Sequence, residues 1–253
     1  MLPELSTVAW SCLGVGAFLV GISKTAIPGF NTVSVALFAS ILPAKISTGA
    51  LLILLMVGDI FAILVYRKHA HWLTLIRMVP AVLLGLIVGA LFLHFASDTG
   101  VKRGIGALLL MLMGATLWQR YHAVKPIATE EESSINRVIA TTFFGGLGGF
   151  TTMVANSGGP VMSMYFLTAR FPVQTFLGTA AWFFAVMNLA KLPFSIGLGI
   201  VNVSTLTLDA VLVPAVLAGA WCGWRFAAYM SQQFFDRAVI AMTTLGALWL
   251  MVG

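Results

Sequence analysis

"LVGISKTAIPGFN", Leu19 to Asn31, sets a single lysine, Lys24, in apolar sequence and gathers Gly21, Ser23, Thr25, Pro28, Gly29 and Asn31 around it. Glycine and proline interrupt helices, and the small polar residues compete for backbone hydrogen bonds. In water such a stretch is an ordinary loop. In a bilayer, irregular backbone and an ammonium are tolerated only against protein or a water-filled cavity. What this stretch means therefore depends on the solvent of the whole chain.

Composition identifies that solvent. Of 253 residues, 60% are hydrophobic and 9% charged, and the mean hydropathy is +1.00. An average soluble protein carries roughly 25% charged residues. A soluble fold of this length could not bury so much apolar surface, so the expected class is an all-α polytopic membrane protein. Cys12 and Cys222 lie far apart in apolar segments and read as small core residues, not as a disulfide framework. The opening "MLPELS" has no basic n-region or small-residue cleavage site, so the first apolar segment reads as structure. The net charge of +6 sits in short loops between apolar segments, which makes it a topology signal and not a nucleic-acid footprint.

Outward from the opening stretch, the first half reads as five segments: Thr7 to Gly21, Phe30 to Leu42, Ile46 to Tyr66, Leu73 to Phe95 with Pro80 as a kink, and Val101 to Trp118. A hydrophilic loop, Gln119 to Arg137, follows. The second half repeats the plan: Val138 to Ala155, the break "NSGGP" at Asn156 to Pro160, a short segment to Leu167, Val173 to Leu192, Leu206 to Tyr229 and Phe234 to Val252. Between the eighth and ninth segments, "PFSIGLGIVN", Pro193 to Asn202, reads as a surface cap. "PAVLLGLIVG" (Pro80 to Gly89) and "PAVLAGAWCG" (Pro214 to Gly223) share Pro, Ala, Val, Leu and both glycines, and at the same offset Arg103 falls on Arg237. At a slightly shorter offset Pro43 falls on Pro172, Gly49 on Gly178 and Asp59 on Asn188. Such register marks an internal repeat. With an odd number of segments per half, the second half enters from the opposite face. The expectation is two inverted repeats, residues 1–118 and 138–253, joined by a cytoplasmic linker at 119–137, with broken or re-entrant helices meeting near the midplane.

Lys and Arg give the orientation. Arg67, Lys68, Arg77, Arg120, Lys125, Arg137, Arg170, Arg225 and Arg237 fall on one side, and Lys45, Lys102 and Arg103 on the side of the N-terminus. The positive-inside bias makes the first side cytoplasmic and puts both termini outside.

The second segment of each half is too short to span, since a span takes about 20 residues. Both breaks therefore lie at mid-depth and face each other across the pseudo-twofold axis. Helix N-termini starting there offer unpaired N–H groups and a positive dipole end, which is an anion site. The candidate binding residues are Lys24, Ser23, Thr25 and Asn31 at the first break, Asn156, Ser157, Gly158 and Gly159 at the second, and Asn188 with Lys191 on the eighth segment. Asn188 and Lys191, three apart, share a helix face. Each element has a plainer reading: small residues also pack crossing helices, and lysines also snorkel to the interface. Asp59, mid-segment, is either a counter-ion for the lysines or a carboxylate that titrates in transport. Asp209 reads as an N-terminal charge on its segment. "HAH" (His69 to His71) lacks a carboxylate or cysteine neighbour and reads as solvated loop, so no metal is expected. No cofactor motif and no nucleophile–base pair is present, so an enzyme is not expected.

"SKTAIPGFNTVSVAL", "PAKISTGALLILLMVGDIFAILVYRKHAHW", "ANSGGPVMSMYFL" and "FLGTAAWFFAVMNLAKLP", with the repeated Pro-Ala-Val-Leu segments, resemble the sulfite exporter TauE/SafE family, also called the 4-toluene sulfonate uptake permease family. Some relatives carry glycine-rich motifs where this chain has "KTAIPGF". The resemblance implies a multi-pass carrier in the bacterial inner membrane for small sulfur-containing anions, such as sulfite, sulfoacetate or taurine-derived compounds, with export the commoner assignment. The alternatives are an anion-selective channel or a carrier of other small carboxylate anions. The expected partners are the anion and the lipid bilayer, without nucleic acid, and a homodimer is compatible with the sequence.

Overall fold

The structure is a computed structural model and describes residues 5–97, 99–101, 104, 107, 111, 114, 134–156, 158–169, 171–239, 241 and 242. Among these residues it is helical, without strands. The helices are α1 (Thr7–Thr25), α2 (Phe30–Ile41), α3 (Ala44–Tyr66), α4 (Trp72–Phe95), α5 (Ser134–Ala155), α6 (Gly158–Thr168), α7 (Val173–Gly197) and α8 (Val203–Ala227), with a 3-10 turn at Arg67–His69. Most of the fifth and tenth apolar segments, the linker's residues 119–133, and the Arg103 to Arg237 match lie outside the described residues.

Among the described residues six stretches are long and apolar enough to cross a membrane: Thr7–Thr25, Lys45–His69, Trp72–Phe95, Val138–Ala155, Val173–Gly197 and Val203–Ala227. Their outer faces expose Ile60, Leu64, Leu84, Val88 and Leu91, while Ser34, Thr48, Thr151, Asn156, Thr179 and Asn188 are buried. Apolar side chains out and polar ones in is the arrangement a lipid solvent imposes. The chain is a multi-pass membrane protein.

Three element boundaries differ from the sequence reading. α1 continues through Lys24 to Thr25, so the break is only Ala26 to Gly29. The hydroxyls of Ser23 and Thr25 donate back to the carbonyls of Val20 and Gly21, at 2.7 and 3.2 Å, which keeps both residues inside the helix. α7 runs through Pro193 to Gly197, so the separate surface cap shrinks to the turn before α8, where Gly199 has φ +68°. Asp209 is not a terminal charge. Asn202 and Thr205 close a capping box at the start of α8, and Asp209 lies almost two turns further on, 1% exposed. Neither of its carboxylate oxygens has a hydrogen-bond partner.

The repeat appears as packing. Pro43 and Pro172 each stand at the N-cap of the equivalent helices α3 and α7. α1 packs along α8 and α4 along α5, two pairs that exchange when the halves of the chain are exchanged. The shared motif forms both seams. A methyl group on Gly219 would collide with the Phe18 carbonyl, and one on Gly21 with the Val216 carbonyl. Its counterparts on Gly85 and Gly149 would collide with the carbonyls of Gly146 and Val82. Small residues let helix backbones touch, which is how membrane helices associate without a hydrophobic driving force. Gly49 abuts Ile200, in the turn after α7, and Gly178 abuts Tyr66, the last residue of α3, and His69 in the turn that follows it. α3 and α7 pack against each other at the centre.

Candidate functional site

The central pair α3 and α7 carries the matched residues Asp59 and Asn188, and they meet. The Asn188 Nδ2 donates to Asp59 Oδ2 at 2.5 Å. This bond joins the two halves of the chain at positions matched in the sequence. On the other carboxylate oxygen, Lys24 Nζ lies 2.6 Å from Asp59 Oδ1. The ammonium also sits 4.7 Å from the centroid of the Phe184 ring, a cation–π contact that helps replace lost hydration.

The second lysine is organised differently. Lys191 is 1% exposed and donates to Asn156 Oδ1 at 2.6 Å and to the Thr152 carbonyl at 3.0 Å. Asn156 is the junction between the breaks. Its Nδ2 donates to the Thr48 carbonyl at 2.8 Å, and its own carbonyl accepts from Asn31 Nδ2 at 2.6 Å. It holds φ +52°, the left-handed region that asparagine tolerates better than most residues.

These groups border a cavity of about 20 Å³ lined by Ser23, Lys24, Pro28, Asn31, Leu55, Thr152, Asn156, Gly159, Leu177, Ala180, Ala181, Phe184 and Asn188. That is room for about one water molecule. The wall mixes one ammonium and several amide and hydroxyl groups with an apolar lining from α3 and α7. Two buried carbonyl oxygens on it, Asn31 Oδ1 and Asn188 Oδ1, have no hydrogen-bond partner.

Six of the residues named from the sequence thus line one cavity: Ser23, Lys24, Asn31, Asn156, Gly159 and Asn188. Asp59 reaches it through Lys24 and Asn188, and Lys191 stands behind Asn156. Two residues face elsewhere. Thr25 donates to the Ala220 carbonyl of α8 at 2.9 Å, and Gly158 packs against Thr152, Gly148 and Phe184. Ser157 lies outside the described residues. The N–H groups at the start of α2 are not free: those of Phe30, Asn31 and Thr32 donate to the carbonyls of Ile27, Pro28 and Gly29, each at 3.1 Å. The tight turn at Pro28 and Gly29 brings those carbonyls within reach, so the first break contributes side chains and not open backbone.

Sequence reasoning missed Thr152 and Phe184. Thr152 lies one helical turn before Asn156, a spacing that puts both on one face. Phe184 lies one turn before Asn188 on the face that also carries Lys191, but nothing in an aromatic-rich segment singles it out. His71 caps α4, its ring nitrogen accepting from the Thr74 N–H at 3.4 Å, and packs on Phe171 with ring centroids 5.3 Å apart. Among the described residues no cluster of His, Cys, Asp or Glu could hold a metal ion.

No match is found among curated proteins or among solved structures. A family profile described as "Sulfite exporter TauE/SafE" matches residues 13–250, which takes in both breaks and the described helices apart from the start of α1. The chain belongs to the sulfite exporter TauE/SafE family, whose members move sulfur anions such as sulfite across membranes.

Proposed function

We propose that this protein is a secondary transporter of small sulfur-containing anions, sulfite and organosulfonates such as sulfoacetate or taurine-derived compounds. It resides in the bacterial inner membrane and works by alternating access, exporting its substrate. The observation that carries the reading is the cavity between the two helix breaks, with Lys24 on its wall and Lys191 one residue layer behind. Lys24 already has Asp59 as its counter-ion, whereas Lys191 is hydrogen-bonded to a carbonyl and an amide oxygen, and an anion in the cavity is the ligand that would offset its burial. A cavity with room for about one water molecule is not a continuous open pore, which favours a carrier over a channel. Residues 1–118 and 138–253 form the two inverted repeats, and the cytoplasmic linker is 119–137. Both termini face outside, the side opposite the greater number of loop lysines and arginines. The protein acts without covalent catalysis and without a cofactor.

The test is flux of sulfite, taurine and sulfoacetate into proteoliposomes, for wild type and for Lys24→Ala and Lys191→Ala. Saturable flux with counterflow, reduced at least tenfold in Lys24→Ala, is the expected result. Undiminished flux in both variants at normal expression would remove the lysines from the mechanism.

A further inference from the structure

The buried charges around the cavity can be counted. With all three side chains ionised, Lys24 and Lys191 contribute one positive charge each and Asp59 one negative charge, a formal net of +1. Among the described residues the other fully buried charged side chain is Asp209. It stands on α8, seven residues before Val216. Val216 and Lys24 both border Gly58, so they share a level. Seven residues correspond to roughly 10 Å along a helix, which places Asp209 away from this cluster.

The balance of +1 follows from a broken symmetry. Asp59 and Asn188 occupy matched places in the two halves, and only one of them is an acid. Two acids would cancel the lysines and none would leave two charges uncompensated. A second observation points the same way. Asn31 Oδ1 and Asn188 Oδ1 are buried acceptors on the site without donors, so the wall already carries partial negative charge that nothing relieves.

We propose that the site selects anions by charge and takes one net negative charge, so that within the sulfur anions named above its substrate class is the singly charged one, a monosulfonate or hydrogensulfite, and neither the sulfite dianion nor the doubly charged sulfoacetate. This rests on the reading of the cavity as an anion site. A monoanion brings the buried cluster to neutrality. A dianion of equal size leaves it with an uncompensated negative charge in a low-dielectric setting, where such a charge is costly. Asp59 is the group that sets this preference.

Methanesulfonate and sulfate test the proposal directly. They share a tetrahedral head of similar size, carry one and two charges, and do not titrate near neutral pH. Calorimetric titration of the detergent-purified protein at matched ionic strength should show methanesulfonate binding at least tenfold tighter than sulfate. Asp59→Asn raises the cluster to +2 and should move the ratio by at least tenfold toward sulfate. Equal binding of the two anions by wild type would overturn charge selection while leaving the anion site intact, and needs no variant to be folded. An unmoved ratio in a folded Asp59→Asn protein would also overturn it. Binding of neither anion, nor of sulfite, taurine or sulfoacetate, would remove the anion site itself and this inference with it.

Discussion

Lys24 and Asp59 are each costly to bury alone and tolerable together, 2.6 Å apart. Breaking such a pair from one side typically costs about 3–5 kcal/mol, because the remaining charge is stranded, whereas removing both partners costs far less. Lys24→Met should therefore lower thermal stability in detergent, and adding Asp59→Asn should recover most of the loss without restoring transport. A double variant no more stable than the single one would mean that Asp59 does not depend on Lys24. Asn156 carries a different load, with two side-chain hydrogen bonds and a left-handed backbone. Asn156→Ala forfeits the bonds and strains the backbone, for a combined cost of about 2–4 kcal/mol. Asn156→Gly loses the same bonds without the strain, so it should melt above Asn156→Ala. The reverse order would show that φ +52° is not a constraint here.

At the scale of helices, the Pro-Ala-Val-Leu motif is a packing device used twice. Its glycines Gly85 and Gly219 meet Gly146 and Phe18 backbone with no space for a side chain. Gly85→Leu or Gly219→Leu must push α4 from α5, or α1 from α8, and should abolish the monodisperse peak in size-exclusion chromatography. Gly14 and Gly197 have nothing within 4 Å of a built methyl group, and alanine there should be tolerated. Collapse of the Gly14→Ala protein would indicate general fragility instead of a specific seam. The seams also explain how a repeat readable as sequence becomes structure. α4 of one half packs on α5 of the other, and α8 packs back on α1, so each half is completed by its counterpart.

Across the whole molecule the exchange of halves is imperfect, and the departure has a direction. α3 packs extensively against α8, whereas the equivalent pair α7 and α4 meets sparsely. A groove of about 130 Å³ opens there, lined by Trp72, Leu75, Ile76, Val79, Val82, Trp182, Phe183, Val186 and Met187. In an inverted-repeat carrier the two halves trade conformations between the two ends of the cycle. The groove between α4 and α7 should then close as that between α3 and α8 opens. Spin labels at Val79→Cys and Val186→Cys should report a shorter distance when substrate anion is added to the reconstituted protein. A distance distribution unchanged by saturating anion would show the asymmetry to be fixed.

Membrane residence, the helical class, the positions of the two breaks and the pairing of Pro43 with Pro172 and Asp59 with Asn188 were legible in the sequence. They follow from composition, apolar run length and register, which are properties of neighbouring residues. The extension of α1 past Lys24 was not legible, because a serine and a threonine that disfavour helix in water bond their own helix in a dry interior. Nor could the sequence separate the roles of the two lysines. Lys24 lines the cavity against Asp59, and Lys191 holds Asn156 from behind. That division depends on bonds between residues 35 to 129 apart in the chain, such as Lys191 to Asn156 and Asn188 to Asp59. Only the packing of α3 against α7 brings those groups together, because it is contact between distant segments and not the order of residues that sets which side chains meet.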